Sequence, residues 1–354
     1  MKMKTLYLLT MLLVGATGVF AKAYHFDYQK NIEMIGEIEL VVYNSYGDIS
    51  ITGAPVSTLT IDAVKNVRAA DQEEAEKIAD HIEIKAKRQG QRITLQTNYL
   101  RLSGKADSFW DKLLGSGEDS FGDVDFDIIV PNECTINIDN TRGSVKISGV
   151  IGKTTVMGSS DKIDITDLTG DVEIECAGGA LNLGDLRGDI NIFSGGSDMT
   201  FRSITGKIEI HSTSGNKTGS YISGPMIISQ TSGEIDLKSV DGDLRIKSSS
   251  GDIQIEQGAG AVDITTFTGR VIVKTELYAE KDSFVRTSSG NIVFTIPELS
   301  SGSVNLETIS GKIKTDIPIA IESLTENKVT GNFGGDGPKI SLITESGDIT
   351  IGQY

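Results

Sequence analysis

The 354-residue sequence is poor in the residue types from which catalytic and metal centres are built: it holds three His, two Cys and one Trp. His25, His81 and His211 are scattered, and none stands at the spacing of a zinc site or beside a nucleophile. His211 follows a strand at a turn and reads as a solvated surface residue. Lys and Arg number 33 against 49 Asp and Glu, for a formal charge of −16. That deficit excludes nucleic acid as a partner, which requires clustered cations, and disfavours adsorption to anionic lipid. Aromatic residues make up 6% of the chain, too few for a globular core filled by rings. Beyond the first residues, no apolar run is long enough to span a bilayer.

The start of the chain reads as a leader. Lys2 and Lys4 precede an apolar stretch from Leu6 to Val14, and small residues at Val19-Phe20-Ala21 suit a signal peptidase. The expectation is a signal peptide over 1–21 and a protein exported to the periplasm, the cell surface or the extracellular space. No Cys stands at the exit to carry a lipid.

What the chain has in quantity is glycine, 40 residues, and its placement is periodic. Stepping by nine from Gly143 to Gly269 meets Gly at thirteen of fifteen positions, with Asp161 and Ser197 as the exceptions. Two and four residues after each step stand apolar side chains with a polar one between them, as in Val172-Glu173-Ile174 and Ile253-Gln254-Ile255. Alternation of this kind is a half-buried strand, and the preceding Gly permits a tight turn. A longer period lies inside this one. Val150, Leu168, Leu186, Ile204, Ile222 and Val240 recur every eighteen residues, interleaved with the small Ser159, Ala177, Gly195, Thr213, Thr231 and Ser249. Two corner types therefore alternate. The fold class expected is all-β: a parallel β-solenoid with two nine-residue strand-turn units per eighteen-residue coil, one corner aliphatic and the other tight.

Lys217 and Gly219 fall at core positions, so that strand is expected to be weak or bulged. The phase slips after Val273, where an enlarged corner near Leu277–Lys281 is expected. It recovers at Gly290, Gly302 and Gly311, and departs again over Pro318–Gly337 before a last copy at Gly347–Ile351. An outlying copy stands early, at Gly47–Ile51. Between it and the main array, Asp71 and Glu74 have the spacing of a capping box before a helix near 71–81. Strands are expected near 59–67, 82–88, 92–98 and 123–130, with a polar loop over 101–122 that holds Trp110. The organisation expected is a capping region over 24–131, containing the one short helix, and a solenoid repeat domain over 132–354.

The repeats Tyr46–Ile51, Ser232–Leu237, Ser249–Ile255, Ser289–Phe294 and Ser346–Ile351 resemble those of the DUF4097 family. The segment 60–98 and the strand ending at Val130-Pro131 fit that family's N-terminal part. The resemblance spans most of the chain and implies a bacterial envelope protein of the candidate-adhesin kind, with no established catalytic residues.

Three features of the repeat bear on chemistry. The residues after the turn glycines stack every eighteen positions, giving an exposed corner strip of Asp198, Asn216, Glu234 and Asp252. Such oxygens could hold Ca²⁺ or a cationic or hydroxylated ligand, but the chain departs from the three-glycine calcium nonapeptide, and the preferred reading is a solvated charged edge that keeps the solenoid soluble. Phe193, Tyr221 and Tyr278 fall near corners but form no regular ladder, while Phe201 and Phe267 read as core. The two cysteines lie about two coils apart, ~10 Å along a stack of ~4.8 Å steps, too far for a disulfide. The expectation is a non-enzymatic envelope scaffold that binds an unknown envelope or extracellular ligand, protein or glycan. It needs no cofactor, metal or catalytic residue, and has no membrane-spanning segment after the leader is removed. The alternatives are a polysaccharide-active enzyme on the same scaffold and a calcium-stabilised structural module.

Overall fold

A computed structural model of the chain describes residues 22–34, 36–100, 122–277 and 281–354. The leader, the loop with Trp110 and the Tyr278 corner lie outside the described residues. The described chain is all-β apart from one helix, and its strands form two long stacks.

Parallel pairing at an eighteen-residue offset builds both stacks. In one, Ile163 faces Leu181, which leads through Met199 and Lys217 to Ile235 and Ile253. In the other, Val172 faces Ile190, followed by Ile208, Met226, Leu244 and Val262. The chain crosses between the stacks at each turn; the long strand Ile190–Thr205 pairs in both. Alternate apolar side chains point inward from each stack and form one continuous core. Stacking in register leaves strand N–H and C=O groups paired from coil to coil, which makes a narrow two-walled core tenable.

Turn glycines lie one above another. Gly206 has φ +145°, and a Cβ there would collide with the Gly188 carbonyl oxygen one coil below, so the column tolerates no side chain. One corner buries Val150, Leu168, Leu186, Ile204, Ile222 and Val240. The residue before each of these from Gly149 to Ser239 takes a left-handed conformation: Gly149, Asp167, Asp185, Ser203, Tyr221 and Ser239.

The other corner differs from the tight one expected. Its small residues Ala177, Gly195, Thr213, Thr231 and Ser249 face solvent. The inward position is the residue before them, and it forms a polar ladder: Asn140, Gly158, Cys176, Ser194, Ser212, Gln230, Ser248, Thr266, Thr287 and Thr344 in successive coils. Gln230, Ser248, Thr266 and Thr344 cap the turn. Gln230 Nε2 donates to the Gly233 carbonyl at 2.6 Å and Thr344 Oγ1 to that of Gly290 at 3.1 Å. Cys176 belongs to this ladder, and both cysteines are buried and free.

Lys217 corrects the expectation of a bulged strand. Lys217–Ser223 is regular and in register on both sides. The lysine is fully buried, its Nζ donating to the carbonyls of Ser214 at 3.0 Å and Gly215 at 2.7 Å. Ser212, the ladder residue of that coil, makes no hydrogen bond through its hydroxyl; the lysine caps the turn instead. Phe201 is core as expected, but Phe267 is 64% exposed, because it occupies the outward corner position that Ser249 holds one coil earlier.

Both ends are threaded out of sequence order. The early copy is not an outlier in space: Ile38–Tyr46 and Ile49–Ala54 pair directly with Cys134–Arg142 and Ser144–Ile151. The chain between them is placed outside that coil. Gly122–Pro131, Thr58–Ala69 and Lys22–Glu33 extend one stack, and Arg92–Tyr99 and Ile82–Gln89 the other. The helix Gln72–His81 is N-capped by Asp71, which accepts from Glu74 N–H at 2.9 Å, and it buries Ala75, Ile78 and Ala79. Glu74 returns its carboxylate to Ala70 N–H at 2.8 Å. At the far end, Lys339–Ser346 and Ile349–Gln353 stack on Ser283–Ser289 and Ile292–Ile296. The earlier strands Gly302–Thr308 and Ile313–Thr315 lie outside them, and the hairpin of Ala320–Thr325 and Lys328–Phe333 covers Gly302–Thr308.

Candidate functional site

The corner strip Asp198, Asn216, Glu234 and Asp252 assembles in register, and its side chains face the next coil. Asp198 Oδ1 accepts from Asn216 N–H at 2.8 Å, and Asn216 Oδ1 from Glu234 N–H at 2.9 Å. Asp252 Oδ1 accepts from Arg270 N–H at 2.8 Å. The opposite corner repeats the device, with Asp171 accepting from Asp189, Asp189 from Lys207 and Asp243 from Ala261. A turn leaves its following N–H without a strand partner, and a short side-chain oxygen one coil away satisfies it. Asn216 does so without charge. Among the described residues no group of three or more His, Cys, Asp or Glu could hold a metal ion.

A different surface forms a cavity. A groove of about 730 Å³ runs along the second stack beside the polar corner. One wall is a column of outward strand residues: Glu175, Phe193, His211, Ser229, Lys247 and Thr265. The floor is the polar ladder from Cys176 through Ser194, Ser212, Gln230 and Ser248. The far side is the column of small corner residues Gly195, Thr213, Thr231 and Ser249. The groove exists because that column has no bulk, and Phe267 stands at the corner position that follows it.

Within the groove, Phe193 and His211 from adjacent coils stack with ring centroids 5.1 Å apart and planes inclined by 10°. The pair makes a two-ring aromatic platform in which each ring covers one face of the other, with Phe193 45% exposed. His211 is therefore not simply solvated: its Nε2 lies 3.1 Å from Glu209 Oε1. Glu209 also accepts from Lys207 Nζ at 2.6 Å, and the hydrogen bonds from Lys207 and His211 hold its carboxyl below the usual carboxylate range. Glu209 thus fixes the ring edge and Phe193 covers one ring face. Gln230 is buried at the floor, and its Oε1 has no hydrogen-bond partner. Hydroxyls, two aromatic rings, the carboxylate of Glu175 and the ammonium of Lys247 are the chemistry on offer.

The sequence placed Phe193 and His211 separately, Phe193 near a corner and His211 at the surface. Their eighteen-residue separation is the signal that brings them together, since it equals one coil. Tyr221, 65% exposed, lies at the aliphatic corner and not in this groove.

No helix among the described residues is long and apolar enough to cross a membrane. A family model described as Toastrack DUF4097 matches residues 39–352. No curated relative matches the chain. Among solved structures, a candidate adhesin from Parabacteroides distasonis is 11% identical, with 92% of this chain and 97% of that chain covered and a TM-score of 0.31. A candidate lipid-binding protein from the same organism is 13% identical over 92% and 96%, with a TM-score of 0.27. A candidate cell adhesion protein from Clostridium sporogenes is 11% identical over 94% and 100%, with a TM-score of 0.21.

Proposed function

The chain belongs to the Toastrack DUF4097 family, and from that premise we propose that it is a non-enzymatic exported envelope protein whose groove holds an extended glycan. The leader over 1–21 directs it across the membrane, to the periplasm or the cell surface. The observation that carries the reading is the groove itself, with the Phe193–His211 platform in one wall and hydroxyls repeating along it. A sugar ring offers an apolar face to an aromatic ring and hydroxyls to Ser and Thr side chains. The columns repeat every ~4.8 Å over six coils, so the surface suits a chain ligand better than a compact one.

Hydrolysis of a glycan by the usual route needs two carboxylates about 5–10 Å apart across the scissile bond. The groove lining supplies one, Glu175, which favours holding over cutting. The experiment is a glycan array with the purified exported protein, followed by titration of the best oligosaccharide against the wild type and Phe193→Ala. Binding of an oligosaccharide that weakens at least tenfold in Phe193→Ala is the expected result. Equal binding by both proteins, or no glycan bound, removes the reading.

A further inference from the structure

A second recess lies at the aliphatic corner of the first stack, and it owes its shape to a defect in the repeat. Where Ile235–Asp241 meets Ile253–Ala259 the register shifts, so that Val240 faces Gln257, seventeen residues on instead of eighteen. The coil of Gln257 omits the left-handed residue that the preceding coils carry up to Ser239. The offset of eighteen is regained at Asp241 and Ala259, so the corner takes a different path with the same number of residues, and a recess of about 530 Å³ opens beside it. Two exposed tyrosines line it, Tyr221 at 65% and Tyr354 at 50% exposure. Tyr221 comes from the coil of Lys217–Ser223 and Lys274 from that of Val271–Thr275, three coil steps or ~14 Å apart.

The recess already accommodates an ammonium. Lys274 Nζ lies 4.5 Å from the centroid of the Tyr354 ring and 3.1 Å from Glu256 Oε1. Tyr354 is held for this by its N–H, which donates to the Ile296 carbonyl at 3.0 Å. The lining has three carboxylates, Asp241, Glu256 and Glu276, against the one ammonium, a surplus of two negative charges. Among the described residues Asp241 and Glu276 form no ion pair, and the Tyr221 ring has no cation over its face. One half of the recess thus repeats, unfilled, the aromatic and carboxylate groups that hold Lys274 in the other half.

We propose that this recess binds a short amino-sugar oligomer, a protonated amine entering between Tyr221 and Asp241 while its ring packs on the Tyr221 face. Cation–π attraction and the carboxylate surplus select the charged amine, and the ~14 Å span fits two or three sugar rings. The site is separate from the groove and does not depend on the reading given to it.

Tyr221 offers a test that separates binding from folding. It occupies the left-handed column, at φ +58°, where other coils place Gly, Asp or Ser. A bulky side chain there is strained, so Tyr221→Gly is expected to raise Tm while deleting the ring. The probes are a glucosamine trisaccharide and its fully N-acetylated counterpart, titrated by calorimetry at mildly acidic pH into the full chain, with Tyr221→Gly, Asp241→Asn and Phe193→Ala alongside. The glucosamine trimer is expected to bind at least tenfold more tightly than the acetylated one. That affinity should fall at least fivefold in Tyr221→Gly and in Asp241→Asn, and hold in Phe193→Ala. Equal affinity for the two trimers, no binding of either, or undiminished binding by Tyr221→Gly would overturn the proposal. Loss in Phe193→Ala alone would assign the sugar to the groove and overturn it equally.

Discussion

Lys217 shows what a single residue does where the repeat is broken. Its ammonium is fully buried, and burial pushes its pKa down from 10.5 to about 8, against the smaller upward pull of Asp198. A lysine whose folded value is depressed opposes folding while both states are protonated, by about 3 kcal/mol for a shift of this size. The unfolded chain holds the proton to higher pH than the native one, so stability from this group rises between about pH 8 and 10.5. Denaturant melts of wild type and Lys217→Met over that range should show the wild type gaining and the variant lacking this increment. Parallel pH profiles would refute the assignment. Two carbonyls, of Ser214 and Gly215, lose their donor in the variant, so the difference at neutral pH measures capping against the burial of charge. In the sequence Lys217 was visible as an exception, but its role was not, because a four-carbon stem can turn its head back to the preceding turn.

At the scale of the strand and turn, the nonapeptide pattern made the strands legible, since alternation and the turn glycine are local signals. The inter-coil caps were only half legible. An acidic residue after several of the turn positions was evident, as at Asp171, Asp189 and Asp252, and its stacking followed from the period. That its oxygen would accept from the next coil's N–H required the backbone geometry of the turn. Asp189 joins three coils, donating its N–H to Asp171 and accepting from Lys207 N–H at 2.9 Å. Asp189→Ala should cost about 1–2 kcal/mol, whereas Asp189→Asn should stay within a few tenths, since Asn216 performs the same task at the other corner. Thermal or urea melts decide it. An Asn variant as damaged as the Ala one would mean that charge, and not the hydrogen bond, is what matters. The groove was illegible for a different reason. Its wall and floor belong to neighbouring columns, and at that corner the inward residue stands one before the small residue that marks the period.

For the whole molecule, nothing local announces that the ends are threaded out of order. The copies at Gly47–Ile51 and Gly347–Ile351 look like strays in the sequence, yet each is the coil on which the main array ends. Gly122–Pro131, Arg92–Tyr99 and Gly302–Thr308 pair parallel to them, and each is capped in turn by an antiparallel strand, which leaves fewer open parallel edges. Lys339–Gln353 fills a slot between Ser283–Ile296 and Gly302–Thr315. A chain ending at Pro338 keeps every residue of Gly302–Phe333 but loses the coil beneath them. Hydrogen exchange on that truncation should show protection lost across Gly302–Phe333 and retained over Lys162–Ser250. Undisturbed protection of the outer coil and hairpin would show that they stand without the inserted coil.

The same detour gives the molecule a timetable. Through the main array, from Ser144 to Ile296, each coil can close on the one before it as it is released. The last slot is different: the apolar side chains of Val285, Ile292 and Phe294 below it and of Val304 and Leu306 above it wait for the final sixteen residues to arrive. A product cut short before Lys339 is left with two unsealed apolar surfaces facing each other. Solubility of the stack thereby depends on Lys339–Gln353 being seated, the two strands that cover both surfaces at once.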